Sequence, residues 1–206
     1  MKKLYLLRHG QTEFNVKKLV QGRCDSPLTD LGRQQAGMAA AWLKGHGVVP
    51  DKVVSSPLGR AMDTAQLVAC ELLGPDAAAE PCEGIIERCY GSFEEGPHGA
   101  LPTDVWDPGE DLVPFGGEGS QALQERMVDA LTNIMGSEGI ETLLAVSHGS
   151  ASRQFIKAAA PEGFELPTKL PNCAIMIFGF DDAREEDDTP QCKFTLQQIV
   201  DPQQSH

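Results

Sequence analysis

The sequence predicts an α/β fold in which a largely parallel sheet is covered by helices on both faces. Short β-rich runs with turn signals nearby alternate with segments that have the apolar spacing of amphipathic helices. Such alternation is typical of parallel strands joined by helical crossovers. With 206 residues and 41% hydrophobic content the chain can bury a core, and we expect one domain over residues 1–206.

Five segments are predicted as strands. They are KLYLL at 3–7, KVVSS at 52–56, TLLAVS at 142–147, AIMIFGF at 174–180 and KFTLQQIV at 193–200. The polar stretch DDAREEDDTPQ joins the last two, which are therefore expected to form a hairpin with an acidic, solvated tip.

Four helices are predicted between the strands. The first follows Thr29, a residue type that caps helices, and ends near Gly45. The second begins in SSPLGR, where Ser56 would be the cap and Pro57 suits the first helical position. Apolar residues at helical spacing predict two more helices, at about 120–134 and 150–160.

The segment 91–119 fits neither pattern. It is rich in Gly and Pro, contains Trp106 and Phe115, and has no Lys or Arg among seven acids, which are Glu94, Glu95, Asp104, Asp107, Glu110, Asp111 and Glu118. Long loops in compact domains are often lids, so we expect a lid over an active site. Its two aromatic side chains either stack on an aromatic substrate or pin the lid to the core.

Charge and composition favour a small ligand as the partner. The formal net charge of -13 repels nucleic acid and anionic membrane surfaces. The apolar run LYLL is too short for a signal-peptide core, and we expect a cytoplasmic protein. The six cysteines are scattered without a CxxC pair, which favours free thiols. The oligomeric state is left open.

Two histidines follow predicted strands in matching contexts, LYLLRHG and LLAVSHG. Ligands of open parallel sheets collect outside the carboxyl ends of the strands, where His9 and His148 would both lie. Either histidine alone has an ordinary structural explanation, but the matched pair indicates a shared pocket. Gly10 and Gly149 permit tight turns and close approach of backbone amides to a ligand.

Two arginines are expected in the same pocket. Arg8 adjoins His9, and Arg60 follows the strand KVVSS at the start of the next helix. Guanidinium groups bind tetrahedral oxyanions through several donors. Arg60 could equally be an exposed or ion-paired side chain, but together with the histidines the two arginines form a positive site suited to a phosphoryl group.

Five motifs in order, LRHGQTEFN, QGRCDSPLTDLGRQQA, VVSSPLGRAMDTA, ERCYGSFEEG and VSHGSASRQF, resemble the histidine phosphatase superfamily, the phosphoglycerate mutase-like fold. The resemblance covers about residues 4–156. It implies a three-layer α/β/α sandwich and a phosphohistidine mechanism without a metal or cofactor. DSPLTDLG and SSPLGRAMDTA resemble broad-specificity phosphatases and α-ribazole phosphatases.

The resemblance also implies roles for individual residues. His9 resembles the nucleophile, Glu87 the general acid, and Arg8, Arg60 and a protonated His148 the phosphate-binding pocket. On spacing alone, Glu87 could instead be a surface carboxylate paired with Arg88. Substrate contacts are expected from Asn15, Gln21, Gly22, Arg88, Tyr90 and Gly149.

Three functions are compatible with these residues. A hydrolase passes the phosphoryl group from His9 to water, and a mutase passes it to a second hydroxyl of a sugar acid, which needs a site for extra negative charge. The acidic 91–119 segment, and HGSA where mutase-like relatives tend to have HGNS, favour the hydrolase. A phosphate-binding protein without turnover is the third alternative.

Overall fold

In the computed structural model, which describes residues 1–182 and 192–204, six strands form one sheet in the order β3-β2-β4-β1-β5-β6. The strands are β1 (Lys2–Arg8), β2 (Lys52–Ser55), β3 (Glu80–Pro81), β4 (Thr142–Ser147), β5 (Ile175–Phe180) and β6 (Phe194–Val200). β3, β2, β4 and β1 run parallel to one another, whereas β5 runs antiparallel to both of its neighbours, β1 and β6. The five predicted strands are confirmed, and β3 is additional.

Helices cover both faces of the sheet. They are α1 (Glu13–Lys17), α2 (Asp30–Gly45), α3 (Gly59–Leu73), α4 (Ser120–Met135) and α5 (Gly149–Ala159). Because side chains alternate along a strand, Leu4 and Leu6 of β1 pack with α4 and α5, whereas Tyr5 and Leu7 pack with α2 and α3. The predicted three-layer sandwich is confirmed.

The start of α2 is as predicted, and α1 is an element that the prediction missed. The Thr29 hydroxyl accepts a hydrogen bond from the Gly32 amide at 3.0 Å. At α1, the Thr12 side chain accepts from the Asn15 amide, and the Asn15 side chain accepts from the Thr12 amide. This capping box stabilises a helix of only five residues, which has no apolar periodicity to reveal it.

The predicted start of α3 was wrong. The helix begins at Gly59, two residues later than expected, and Ser56 does not cap it. Asp25, from a loop far away in sequence, accepts from the amides of Gly59 at 2.6 Å and Arg60 at 3.3 Å. A carboxylate there also suits the partial positive charge of a helix N-terminus. The hydroxyl of Ser56 is thereby left for another partner.

The 91–119 segment lies across the carboxyl ends of the strands in three single-turn 3₁₀ helices, Gly91–Phe93, His98–Ala100 and Val113–Phe115. Its apolar side chains Phe93, Leu101, Val105 and Leu112 form a small cluster with Val20 and Tyr90.

The antiparallel pairing of β5 and β6 confirms the predicted hairpin partners. Residues 183–191 of the acidic turn that joins these two strands lie outside the described residues.

Two further observations concern the cysteines and the lengths of the apolar helices. Free thiols are confirmed at Cys24, Cys70, Cys82, Cys89 and Cys173. Among the described residues, no helix combines the length and apolar character that crossing a membrane requires.

Candidate active site

The two histidines predicted to share a pocket lie side by side at one edge of the sheet, but of the two only His9 lines the cavity there. β1 and β4 are adjacent and parallel, so Arg8–His9 and Ser147–His148 leave the sheet at the same edge. The His9 amide donates to the Ser147 carbonyl at 2.9 Å, and the two imidazole centroids are 5.1 Å apart with an angle of 61° between the rings. Both side chains are buried.

His9 is held as a neutral imidazole with one nitrogen available. Its Nδ1 lies 2.7 Å from the Gly10 carbonyl oxygen, which can only accept, so Nδ1 carries the proton and Nε2 has the lone pair. Burial, with the charges of Arg60 and Arg8, lowers the pKa of His9 well below its usual value. Gly10 is required here because a Cβ would lie 2.4 Å from the Gly32 carbonyl oxygen.

His148 is oriented by Ser56. Its Nε2 is 2.7 Å from the Ser56 hydroxyl, and its Nδ1 is buried without a hydrogen-bond partner among the described residues. Burial and the nearby Arg60 lower the pKa of His148 well below its usual value. The imidazole is therefore neutral at neutral pH in the structure, and its protonation toward a bound phosphoryl group stays a prediction.

Arg60 is nearly fully buried and joins α3 to the loop that caps it. One terminal nitrogen donates to the Cys24 carbonyl at 2.8 Å and to Asp25 at 3.1 Å, and the other donates to the Gly22 carbonyl at 2.7 Å. Burial lowers the pKa of Arg60, and the Asp25 carboxylate offsets part of that shift. Its Nε has no partner within the described part of the chain. The exposed alternative for Arg60 is thus excluded, whereas the ion-paired alternative is confirmed by its contact with Asp25.

Arg8 supplies a second buried guanidinium. Its Nη1 donates to the Leu170 carbonyl, and its Nε is buried without a partner in residues 1–182 and 192–204. Burial lowers the pKa of Arg8 to about 10, so the group is still charged at neutral pH. Buried donors are almost always paired in native proteins, so the partnerless Nε atoms of Arg8 and Arg60, two guanidinium groups that line one cavity, favour an anion as the ligand.

Glu87 is buried and fastened to the N-terminus of α5. Its carboxylate accepts from the amides of Arg88 at 2.8 Å, Ala151 at 2.9 Å and Ser150 at 3.2 Å. The surface-pair alternative for Glu87 is wrong, since the side chain of Arg88 bonds elsewhere. The helix terminus holds the carboxyl group in one position beside the cavity.

A cavity that opens to solvent brings most of the predicted residues together. Arg8, His9, Arg60 and Glu87 line it, and so do Asn15, Gln21, Gly22, Tyr90 and Gly149. The Asn15 side-chain oxygen is already engaged by the Thr12 amide and Asn172, which leaves its amide nitrogen for the cavity. The 91–119 segment adds His98, Val105 and Trp106.

Arg88 does not line this cavity. Its guanidinium is fully buried and donates to the Ser150 and Ser120 hydroxyls and to the carbonyls of Gly109 and Glu118. The expected substrate contact is therefore not supported by the structure. Arg88 joins the end of the 91–119 segment to the helix terminus that holds Glu87.

The acids of the 91–119 segment do not line the cavity either. Glu118 is paired with Arg126 at 2.6 Å and Asp107 with Lys157 at 2.5 Å, while Glu94 accepts from three backbone amides. These carboxylates therefore do not face the substrate, and a preference against extra negative charge needs a different physical cause. Among the described residues, Arg8 and Arg60 are the only Lys or Arg side chains lining the cavity.

Comparison with known proteins identifies the family. The model of the histidine phosphatase superfamily (branch 1) matches residues 4–189. The chain belongs to this superfamily. Within the histidine phosphatases, a probable phosphoglycerate mutase, GpmB, from Cronobacter sakazakii is 32% identical over 182 residues, 85% of this chain and 83% of the relative.

A second relative and a solved structure extend the comparison. The broad-specificity phosphatase YOR283W of Saccharomyces cerevisiae is 32% identical over 166 residues, 75% of this chain and 69% of the relative. The phosphoserine phosphatase of Entamoeba histolytica, solved in complex with phosphoserine, has a TM-score of 0.73 at 28% identity and covers 98% of both chains. The names of these histidine phosphatases include both hydrolases and mutases.

Several site residues were missed by the sequence reasoning. Asp25 lies within the motif QGRCDSPLTDLG, and Ser56 was interpreted as a helix cap. Both act across long sequence distances, which local patterns do not reveal. Within residues 1–182 and 192–204, no group of three or more His, Cys, Asp or Glu side chains has the arrangement of a metal site.

Proposed function

We propose that this protein is a phosphomonoester hydrolase that works through a phosphohistidine at His9. The observation that supports this most is the pair of buried guanidinium groups, on Arg8 and Arg60, each with a partnerless Nε, that line one cavity together with a neutral His9 whose Nε2 has the lone pair. A phosphoryl group would supply the missing acceptors, because its oxygens carry the negative charge that guanidinium groups bind.

The proposed reaction has two steps. His9 Nε2 attacks phosphorus, the ester P–O bond breaks, and protonated Glu87 gives its proton to the leaving oxygen. Water then attacks the phosphorus of the phosphohistidine, Glu87 takes a proton from this water, and the P–N bond breaks to release phosphate. Arg8 and Arg60 hold the phosphoryl oxygens in both steps, and His148 becomes a donor when the phosphate charge favours its protonation.

The distal half of the cavity supports hydrolysis over mutase chemistry. A mutase must hold a sugar acid that carries negative charge beyond the reacting phosphate. Beyond the residues that would hold the phosphoryl group, the cavity is lined by uncharged side chains such as Leu19, Val20 and Val105, together with His98. Burying an extra anion beside apolar groups without a cation is costly, so we propose a monophosphate as the substrate.

Phosphate release tests this proposal directly. We would incubate the protein, with excess chelator, with p-nitrophenyl phosphate, phosphoserine, 3-phosphoglycerate and α-ribazole phosphate. His9→Ala removes the nucleophile, and His46→Ala, which changes an exposed histidine at the end of α2, is the matched control.

Chelator-resistant release that is lost in His9→Ala and kept in His46→Ala is the expected result. Isomerisation of 3-phosphoglycerate without phosphate release would assign the protein to the mutase branch instead. Silence in both assays would favour a phosphate-binding protein without turnover. A cytoplasmic location and a single domain with a lid stay predictions.

A further inference from the structure

Trp106 touches two groups of the phosphate site. The guanidinium carbon of Arg8 lies 5.0 Å from the centroid of the indole ring, which is the geometry of a cation–π contact. The ring also packs against the first residue of α5, since a Cβ added at Gly149 would lie 2.5 Å from Trp106 Cζ3. The indole therefore forms a wall of the cavity directly beside the phosphate-binding end.

Asp107, the residue after Trp106, is hydrogen-bonded to the same helix, α5. The Asp107 carboxylate accepts from Lys157 Nζ at 2.5 Å and from Gln154 Nε2 at 2.9 Å, both on α5. On the other side, the Trp106 amide donates to Asp104 Oδ1 at 2.9 Å. The position of the indole is thus determined by α5, which also presents Gly149 and holds Glu87.

Part of the surface that a leaving group would meet is apolar. Leu19, Val20 and Val105 line the cavity together with Trp106. Val20 belongs to the small apolar cluster beneath the 91–119 segment, and Val105 packs against that cluster. An uncharged leaving group with a flat hydrocarbon face would bury its surface here, whereas a carboxylate would lose hydration without gaining a cation.

We propose that Trp106 is the specificity-determining residue of this site and selects phosphomonoesters with an uncharged, aromatic or hydrocarbon leaving group. This proposal rests on the proposed hydrolase function. The indole stacks on the leaving group, and its contact with the Arg8 guanidinium sets it next to the reacting phosphoryl group. The contacts of Asp107 with Lys157 and Gln154 hold the indole closed over the site.

A matched pair of alkyl esters tests this proposal. The leaving groups of 3-phenylpropyl phosphate and 3-carboxypropyl phosphate need similar protonation but differ in charge and apolar surface. We expect the wild type to prefer the phenyl ester. Trp106→Ala should lower kcat/KM for the phenyl ester by about 10- to 100-fold, mainly through KM, and change the carboxy ester by less than about threefold.

Three further variants separate stacking from general disturbance. Trp106→Phe should restore most of the preference, since it keeps an aromatic face. Lys157→Met should shift the preference in the same direction as Trp106→Ala but less, because it removes only one fastening contact. Phe115→Ala is the matched control, since this aromatic residue of the same segment packs on Phe93 and does not line the cavity.

Either of two results would overturn the proposal. One is a wild type without preference for the phenyl ester, and the other is an equal loss on both esters in Trp106→Ala and Trp106→Phe. Phosphate release from p-nitrophenyl phosphate that depends on His9 would show in either case that the hydrolase function itself stands. If Trp106→Ala does not fold, Trp106→Phe and Lys157→Met decide the question.

Discussion

Replacing Glu87 by Gln separates the general-acid role from the structural role of this side chain. Gln is isosteric but cannot supply a proton to a leaving oxygen. A positioned general acid typically contributes a factor of about 10² to 10⁴. We therefore expect kcat/KM for alkyl phosphates, whose leaving groups need protonation, to fall by about that factor.

The structural cost follows from the three amides that bond to Glu87. The oxygen of Gln can keep the amides of Arg88 and Ala151, but its NH₂ group would face the Ser150 amide, which now donates at 3.2 Å. Losing one charge-assisted hydrogen bond costs about 1.5–3 kcal/mol. For a chain of this size, that loss lowers Tm by about 3–12 °C.

The assay compares leaving groups in a single variant. Aryl phosphates such as p-nitrophenyl phosphate release a stable phenolate and need little protonation, so Glu87→Gln should retain their hydrolysis within about tenfold, well short of the factor of 10² or more that a general acid contributes. Activity should be measured well below the lowered Tm. Equal losses on alkyl and aryl phosphates in a folded variant would refute the assignment of Glu87 as the acid.

Three further predictions follow from the same contacts. Ser56→Ala removes the partner of His148 Nε2 and should lower kcat/KM about tenfold for alkyl and aryl esters alike, which steady-state kinetics on both ester types would check. Arg88→Met leaves unpaired the acceptors to which the Arg88 guanidinium now donates. It should therefore lower the free energy of unfolding by about 3 kcal/mol or more in urea titrations, whereas the exposed Arg33→Met should change it little. Burial lowers the pKa values of His9 and His148, so the unfolded chain binds more protons than the folded chain below about pH 6.5. These two groups should therefore make the free energy of unfolding fall by up to about 2.7 kcal/mol per pH unit as the pH drops from there toward the folded pKa values. Urea unfolding of wild type and His9→Asn across this range measures that slope, and an unchanged slope in the variant would contradict the shift at His9.

The paired histidines could be predicted from the sequence because two local patterns met one rule of topology. LYLLRHG and LLAVSHG each predict a strand followed by a His, and parallel strands end at the same edge of a sheet. The ring separation of 5.1 Å in the structure agrees with that rule. Arg60 belongs to the same class of prediction, since it follows a third strand of the parallel set.

The contacts that hold these residues in place could not be predicted in this way. Asp25 caps α3 from 34 residues away, and Glu87 binds the start of α5 from more than 60 residues away. The sequence shows neither pairing, because hydrogen bonds between distant loops leave no periodicity. Ser56 shows the consequence: its place before Pro57 suits a helix cap, but Asp25 occupies that role and Ser56 binds His148.

The charge of the 91–119 segment shows a second limit of sequence reasoning. Counting seven acids without a Lys or Arg predicted an acidic wall over the substrate. Lys157 and Arg126, which lie on α5 and α4, instead pair with Asp107 and Glu118. The sign of a segment's charge therefore did not predict the surface that it presents to the cavity.

The stereochemical course at phosphorus tests the central claim most directly. The measurement uses a phosphorothioate ester made chiral by one sulfur atom and by oxygen isotopes, and it determines the configuration of the inorganic thiophosphate released in oxygen-labelled water. Two successive in-line displacements, onto His9 and then onto water, predict net retention whether or not the phosphohistidine accumulates. Net inversion would mean that water attacks the ester directly and would contradict a covalent role for His9.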